Sequence, residues 1–160
     1  MTTASYPTAE IVADPYLPVI HITRDFAASR DKVFRAHADP ELFAQWMGPR
    51  ESTFRMVHWD FRTGGSYRWE DSGEGYVETF YGSFHQVVPG EMIVQTFGFE
   101  SMPEAVALER LVLEDLGEGR CRLRTSSLVD SFEAREGMMA SGMDIGVNEG
   151  YEKLDELLAR

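Results

Sequence analysis

Cysteine is nearly missing from this chain. Cys121 is the only one, so no internal disulfide forms, and the count suits a reducing compartment, with the cytoplasm expected. Positive charge is also scarce: 15 Lys and Arg stand against 27 Asp and Glu, a net charge of −12. That balance argues against nucleic acid and against an anionic membrane surface, both of which select basic patches. It reads instead as a well-solvated surface. Long apolar runs are absent, and none approaches the ~20 residues of a membrane span. The first residues lack the basic and apolar regions of a signal peptide, so none is expected. Internal repeats and low-complexity segments are absent too.

Motifs that mark common chemistries are equally lacking. There is no G-x-S-x-G nucleophile turn and no Gly-rich phosphate loop of the P-loop type. The four histidines, His21, His37, His58 and His85, show no i, i+4 pair, and H-E-x-x-H does not occur. A metal site needs three or four convergent ligands, and the spacing offers none. No metal, no cofactor and no catalytic residue is therefore assigned.

What is present is apolar and aromatic. Hydrophobic residues make up 43% of the 160, including ten Phe, six Tyr and three Trp, enough for a sizeable core in one domain. Residues 1–18, with Pro7, Pro15 and Pro18, read as an extended lead-in, and 19–160 as a single domain. Val19 to Phe26 alternates as a strand. Ser29 caps a helix with Asp31 in its first turn. Asp39-Pro40 ends that helix and opens a second, Glu41 to Met47, which Gly48-Pro49 closes. Strand patterns then follow over Thr53–Phe61, Ser66–Glu70, Tyr76–Val88, Met92–Phe99, Leu108–Leu113 and Arg122–Leu128, separated by turn signals. One strand, two short helices, about six strands and a final helix argue α+β, with an antiparallel sheet curved around the C-terminal helix.

That last helix, Met138 to Leu158, has an unusual inner face. At about 100° per residue, Met139, Met143, Val147, Leu154, Leu157 and Leu158 share one half, with Tyr151 at the edge. Gly142, Gly146 and Gly150 fall on the same half. Each interior glycine costs a helix about 1 kcal/mol relative to Ala. Either a strand backbone approaches closely there, or space is left for something else. Opposite that face, Tyr67 and Trp69 share a strand face, as do Phe80, Gly82 and Phe84, and Ile93, Gln95, Phe97 and Phe99. With Trp46, Met139, Met143 and Tyr151 they would line an apolar pocket with a few polar groups, the usual composition of a small-ligand site; a filled core is the alternative.

Polar candidates are fewer. His58 alternates with Phe54 and Met56, so it either points into the interior as a polar handle or serves as a hydrogen-bonded core or edge histidine. Glu70, Glu78, Glu100 and Glu109 lie on predicted strands. One facing an apolar cavity would have a raised pKa and could act as acid or base, but spacing does not say which. Asp60-Phe61-Arg62-Thr63-Gly64-Gly65 reads as a structural hairpin, with Asp60 and Arg62 on one face and able to pair.

Three stretches resemble a known family. They are Val33-Phe34-Arg35-Ala36 with Asp39-Pro40-Glu41-Leu42 and Gln45-Trp46; Trp59-Asp60-Phe61-Arg62-Thr63-Gly64-Gly65-Ser66-Tyr67-Arg68; and Gln95-Thr96-Phe97, Phe99-Glu100 with Gly137-Met138 and Ser141-Gly142-Met143. From Val19 to Leu158 the chain resembles the helix-grip superfamily of START lipid-transfer domains, Bet v-type plant allergens and aromatase/cyclase domains. Within it the chain is similar to the bacterial group related to the C-terminal domain of the heat-shock-chaperone ATPase activator. The resemblance implies a helix-grip fold: a curved antiparallel sheet wrapped around a long C-terminal helix, with two short helices after the first strand. Chaperone activators of the group carry an extra N-terminal domain, and none is expected within these 160 residues. The expected function is binding of a small hydrophobic or aromatic molecule between sheet and helix, at Trp46, Met56, His58, Tyr67, Trp69, Phe84, Gln95, Phe97, Phe99, Met139, Met143, Val147 and Tyr151. The alternatives are a cyclase- or hydrolase-like enzyme in the same cavity, or a chaperone-interacting module. The expected partner is a small hydrophobic molecule, with no nucleic acid and no membrane; a homodimer is compatible with this reading.

Overall fold

The computed structural model describes residues 8–160. In chain order the elements are β1 (Glu10–Ala13), β2 (Val19–Phe26), α1 (Arg30–Ala38), α2 (Pro40–Trp46), β3 (Thr53–Trp59), β4 (Ser66–Gly73), β5 (Tyr76–Val88), β6 (Met92–Phe99), β7 (Val106–Gly117), β8 (Arg120–Leu128), α3 (Phe132–Ala140) and α4 (Met143–Leu158). The strands form one sheet in the order β1-β2-β8-β7-β6-β5-β4-β3, antiparallel at every step. Helices α1 and α2 carry the chain from β2 to β3 at the far edge. This is the expected α+β helix-grip architecture.

Helix starts follow side-chain chemistry. The Ser29 hydroxyl accepts from the Lys32 amide at the start of α1, and the Asp39 carboxylate accepts from Glu41 and Leu42 at the start of α2. Ser131 accepts from the Ala134 amide to open α3. Each cap satisfies amides that the first helical turn leaves without partners.

Two expectations are corrected. The lead-in at 1–18 contains a strand, β1, which pairs with β2 from Glu10↔Thr23 to Ala13↔Ile20. The two short helices therefore follow the second strand. Pro7 and the other residues of the lead-in before position 8 lie outside the described residues. The helix expected from Met138 to Leu158 is two helices, because Gly142 takes a left-handed conformation with φ of 85° and becomes the N-cap of α4. Glycine occupies that region at little steric cost, so the break falls where the residue allows it.

The three helix glycines thus have three different roles. Gly142 breaks the helix. Gly150 is a close approach: a Cβ there would lie 3.3 Å from the Trp46 carbonyl oxygen. The neighbouring backbone is the end of α2, not a strand. Gly146 faces open space, with nothing within 4 Å of the point where a Cβ would stand. Gly146→Ala is accordingly expected to stabilise the protein by about 0.5–1 kcal/mol through helix propensity. A thermal melt showing a lower Tm would refute that account of the position.

One core cluster lies between the sheet and the helices. Phe26, Val33, Trp46, Phe84, Leu123 and Leu154 are almost completely buried in it. The Trp46 indole N–H donates to the Ala36 carbonyl at 2.9 Å, and the Trp59 indole N–H to Ala38 at 2.8 Å. These bonds satisfy the polar edge of each ring and fix α1 against α2 and β3. His37 is buried beside Trp46, with Nδ1 2.8 Å from the Val33 carbonyl oxygen. Burial lowers its pKa to about 4, so the imidazole is neutral at pH 7, and Nδ1 donates that bond.

Candidate ligand-binding site

Register across the sheet defines one inner row of side chains. Met56 pairs with Trp69, Trp59 with Tyr67, and Trp69 with Phe80. Phe80 pairs with Phe99, Phe84 with Gln95, and Phe97 with Ala107. The rings form a continuous stack. Centroids are 5.2 Å apart for Tyr67 and Trp69, 5.1 Å for Tyr67 and Phe84, 5.6 Å for Trp69 and Phe80, and 5.5 Å for Phe80 and Phe97. Tyr67, Trp69 and Phe84 are buried, whereas Phe80, Phe97 and Phe99 are only half-buried. Water therefore reaches the aromatic wall from the β5–β6 side.

A carboxylate stands beside that wall. Glu109 on β7 is the cross-strand partner of both Gln95 and Ser127, so all three point the same way. Gln95 Nε2 donates to Glu109 Oε1 at 3.0 Å, and Ser127 Oγ donates to Oε2 at 3.3 Å. Both donors are neutral. Burial raises the Glu109 pKa, and these two hydrogen bonds only partly offset it. Its charge also acts on two phenols. Tyr151 is pushed up to about 12, first by burial and then by Glu109, and Tyr67 is raised by the same two causes. The Tyr67 hydroxyl donates to the Thr96 carbonyl oxygen at 2.6 Å, in space that Gly82 leaves free.

The one cation buried nearby is already committed. Arg24 on β2 bonds both oxygens of Asp155 on α4, at 2.7 and 2.5 Å, with the two side chains 1% and 7% exposed. Its guanidinium lies over the Phe26 ring and beside Tyr151, 4.7 and 5.9 Å from the centroids. Thr125 Oγ1 and Arg24 Nε are buried without a protein partner. Among the described residues no three His, Cys, Asp or Glu side chains converge as metal ligands, and no helix is long and apolar enough to cross a membrane.

The expected site residues divide into groups. Met56, Tyr67, Trp69, Phe84, Gln95, Phe97 and Phe99 share the inner face. Tyr151 joins them from α4, its ring 5.4 Å from Phe26 and 6.2 Å from Trp46. Met139 on α3 and Met143 and Val147 on α4 are half-buried and lie outside the packed cluster formed by the described residues. Trp46 is buried in the core cluster, its indole held by the Ala36 carbonyl. His58 does not point inward. A bulge between Met56 and His58 shifts the alternation by one residue, so Trp59 takes the inner position and His58 the outer. His58 is exposed, with Nε2 2.9 Å from Ser66 Oγ. It lines an outer groove of about 350 Å³ with Arg68, Tyr81, Ser83 and Thr96. Polar groups of that groove are engaged with one another: Arg68 pairs with Glu100 and lies over Tyr81, and Thr96 Oγ1 accepts from the Ser83 amide.

Glu109 is one of four strand carboxylates that spacing does not tell apart, and no sequence pattern marks Ser127 or the Arg24–Asp155 pair. Glu70 instead pairs with Arg55 at the surface, and Glu100 with Arg68. Glu78 accepts from the Ser101 amide. An unpaired sign of charge at an inward strand position was the available signal, but it needed the inward face to be known.

No curated protein matches this sequence. Solved structures do, at the level of fold. A crystal structure of a Mycobacterium smegmatis protein is 22% identical, with a TM-score of 0.85, covering 95% of this chain and 97% of that one. A solution structure of an Arthrobacter aurescens protein is 23% identical, with a TM-score of 0.84, covering 94% and 91%. A Rhodobacter sphaeroides protein is 24% identical, with a TM-score of 0.83, covering 94% and 97%. The family model described as Activator of Hsp90 ATPase homolog 1-like protein matches residues 27–159. With most of its length matched, this chain belongs to the Activator of Hsp90 ATPase homolog 1-like family.

Proposed function

We propose that this protein binds a small hydrophobic or aromatic molecule on the inner face of its sheet, beneath the N-terminal half of α4. The half-buried wall of Phe80, Phe97 and Phe99 carries the proposal. A core residue of this size is normally closed to water, and three adjacent open rings leave apolar surface for a ligand to cover. The open space at Gly146 and the flexible thioethers of Met139 and Met143 let the helical side adapt to the ligand's shape. Gln95 and Tyr151 supply orienting polar groups. The net charge of −12 disfavours nucleic acid and anionic membrane as partners, and the single cysteine suits a cytoplasmic location.

Fluorescence titration with the uncharged apolar dye Nile red tests this reading. Saturable binding, displaced by small neutral aromatics, is the expected result. Phe97→Ala should weaken it about tenfold, from lost ring contact and apolar burial. Absence of saturable binding, or identical binding by Phe97→Ala, would overturn the proposal.

A further inference from the structure

We propose that the ligand of this site is a cation: a small aromatic or alicyclic amine whose ammonium group pairs with Glu109. This rests on the inner-face binding reading above and names the chemistry of its ligand. A carboxylate has about four acceptor positions, and protein donors take one at each Glu109 oxygen, from Gln95 and Ser127. The charge itself has no counter-ion, since no ion pair forms at Glu109 among the described residues. Arg24, the cation of the neighbouring strands, gives both terminal nitrogens to Asp155.

The surroundings fit an ammonium better than other polar groups. Phe97 lies diagonally across from Glu109 on the same face, where β6 pairs Phe97 with Ala107 and Gln95 with Glu109. Tyr67, Trp69 and Phe80 continue the wall. Aromatic faces attract cations and do so more strongly away from water. An anionic ligand would meet the Glu109 carboxylate, while a neutral one would supply no counter-ion to it. The ionisable or charged groups facing this point are Tyr67 from β4, Tyr151 from α4, and the mutually paired Arg24 from β2 and Asp155 from α4. The two phenols stay neutral through the pH range concerned, because burial raises both.

The proposal has a pH signature. Burial raises the pKa of Glu109 in the empty site, so the free protein holds its proton to higher pH than an ordinary carboxylate does. An ammonium binds the ionised form, and its binding expels that proton. Affinity for an amine should therefore climb as pH rises through the raised Glu109 pKa, level off, and fall once the amine itself deprotonates at about pH 9–10.

Three fluorescent naphthalene probes on the full chain test it: the isosteric pair 1-naphthylmethylamine and 1-naphthalenemethanol, and the anionic 1-naphthaleneacetate. At pH 7 the amine should bind roughly ten to a hundred times more tightly than the alcohol, as hydrogen bonds to charged groups warrant, and the acetate most weakly. Glu109→Gln should remove the advantage and the pH dependence of the amine while leaving alcohol binding in place. The wild-type pH profile needs no variant and stands if Glu109→Gln fails to fold. Equal affinity for amine and alcohol, or an amine profile that is flat from the ordinary carboxylate range up to the pH at which the amine deprotonates, overturns the cation assignment and leaves the binding site standing. Failure of all three probes to bind overturns both.

Discussion

Asp155→Ala should destabilise the fold by about 3–5 kcal/mol, the cost expected when one partner of a buried ion pair is removed. The magnitude follows from what is left behind. Arg24 is 2% exposed, its Nε already lacks a partner, and without Asp155 its two terminal nitrogens would retain only the Asp25 carbonyl at 3.2 Å. The desolvated guanidinium cannot shed its proton, because arginine stays charged at any ordinary pH. Chemical denaturation should report the loss as a lower midpoint with little change in slope. The double variant Arg24→Met, Asp155→Leu should recover most of it, since apolar side chains of similar volume avoid the desolvation cost of both charges. A loss under 1 kcal/mol in the single variant would mean that Arg24 finds other partners. The pair also has a functional consequence. It pins α4 to β2 one helical turn beyond Tyr151, and so sets how far the helix stands from the aromatic wall.

Local chemistry was legible in the sequence where one residue type has one strong preference. Ser29 caps the first helix as expected, Asp39 opens the second, and Asp60 and Arg62 pair, with Arg62 Nε 3.1 Å from each carboxylate oxygen. Face assignment was harder. In β7, Ala107, Glu109, Leu111 and Leu113 alternate with Val106, Leu108, Arg110 and Val112. Each row is apolar with a single charge, so periodicity alone cannot tell which row faces the core. Cross-strand register decides it, through Gln95 and Ser127, and register depends on contacts distant in sequence. The misplacement of His58 has a related origin. Strict alternation puts it with Phe54 and Met56, but one inserted residue at Val57 reverses the sense, and bulges carry no dependable sequence mark. The helix break at Gly142 was hidden for the opposite reason. The apolar pattern runs through it without interruption, and only the backbone conformation reveals it.

Gly65→Ala is the second change expected to act strongly, although Gly65 lies in a turn and has no side chain in the aromatic wall. Its neighbour Gly64 has a φ of 83°, the conformation anticipated for a tight turn. Gly65 is restricted by space instead: a Cβ there would overlap the Asp60 carbonyl oxygen. Backbone cannot yield as a flexible side chain can. Relief requires the 60–65 turn itself to open, parting Gly65 from Asp60, and that opening pulls on the two bonds that tie the turn to β5: the Gly64 amide donating to the Phe84 carbonyl at 2.8 Å and the Phe84 amide donating to the Gly65 carbonyl at 2.9 Å. Leaving the two backbone groups of buried Phe84 shielded and unsatisfied costs about 2–6 kcal/mol, at roughly 1–3 kcal/mol for each. Phe84 is 1% exposed and touches Trp59, Phe61 and Tyr67, so its displacement would also disturb the inner wall. Gly65→Ala should therefore lower both the thermal midpoint and Nile red affinity, whereas Gly64→Ala, with only an Arg62 side-chain nitrogen near its Cβ, should cost about 1 kcal/mol from its left-handed conformation. If the two variants melt together, close approach at Gly65 is not what holds this turn against the sheet.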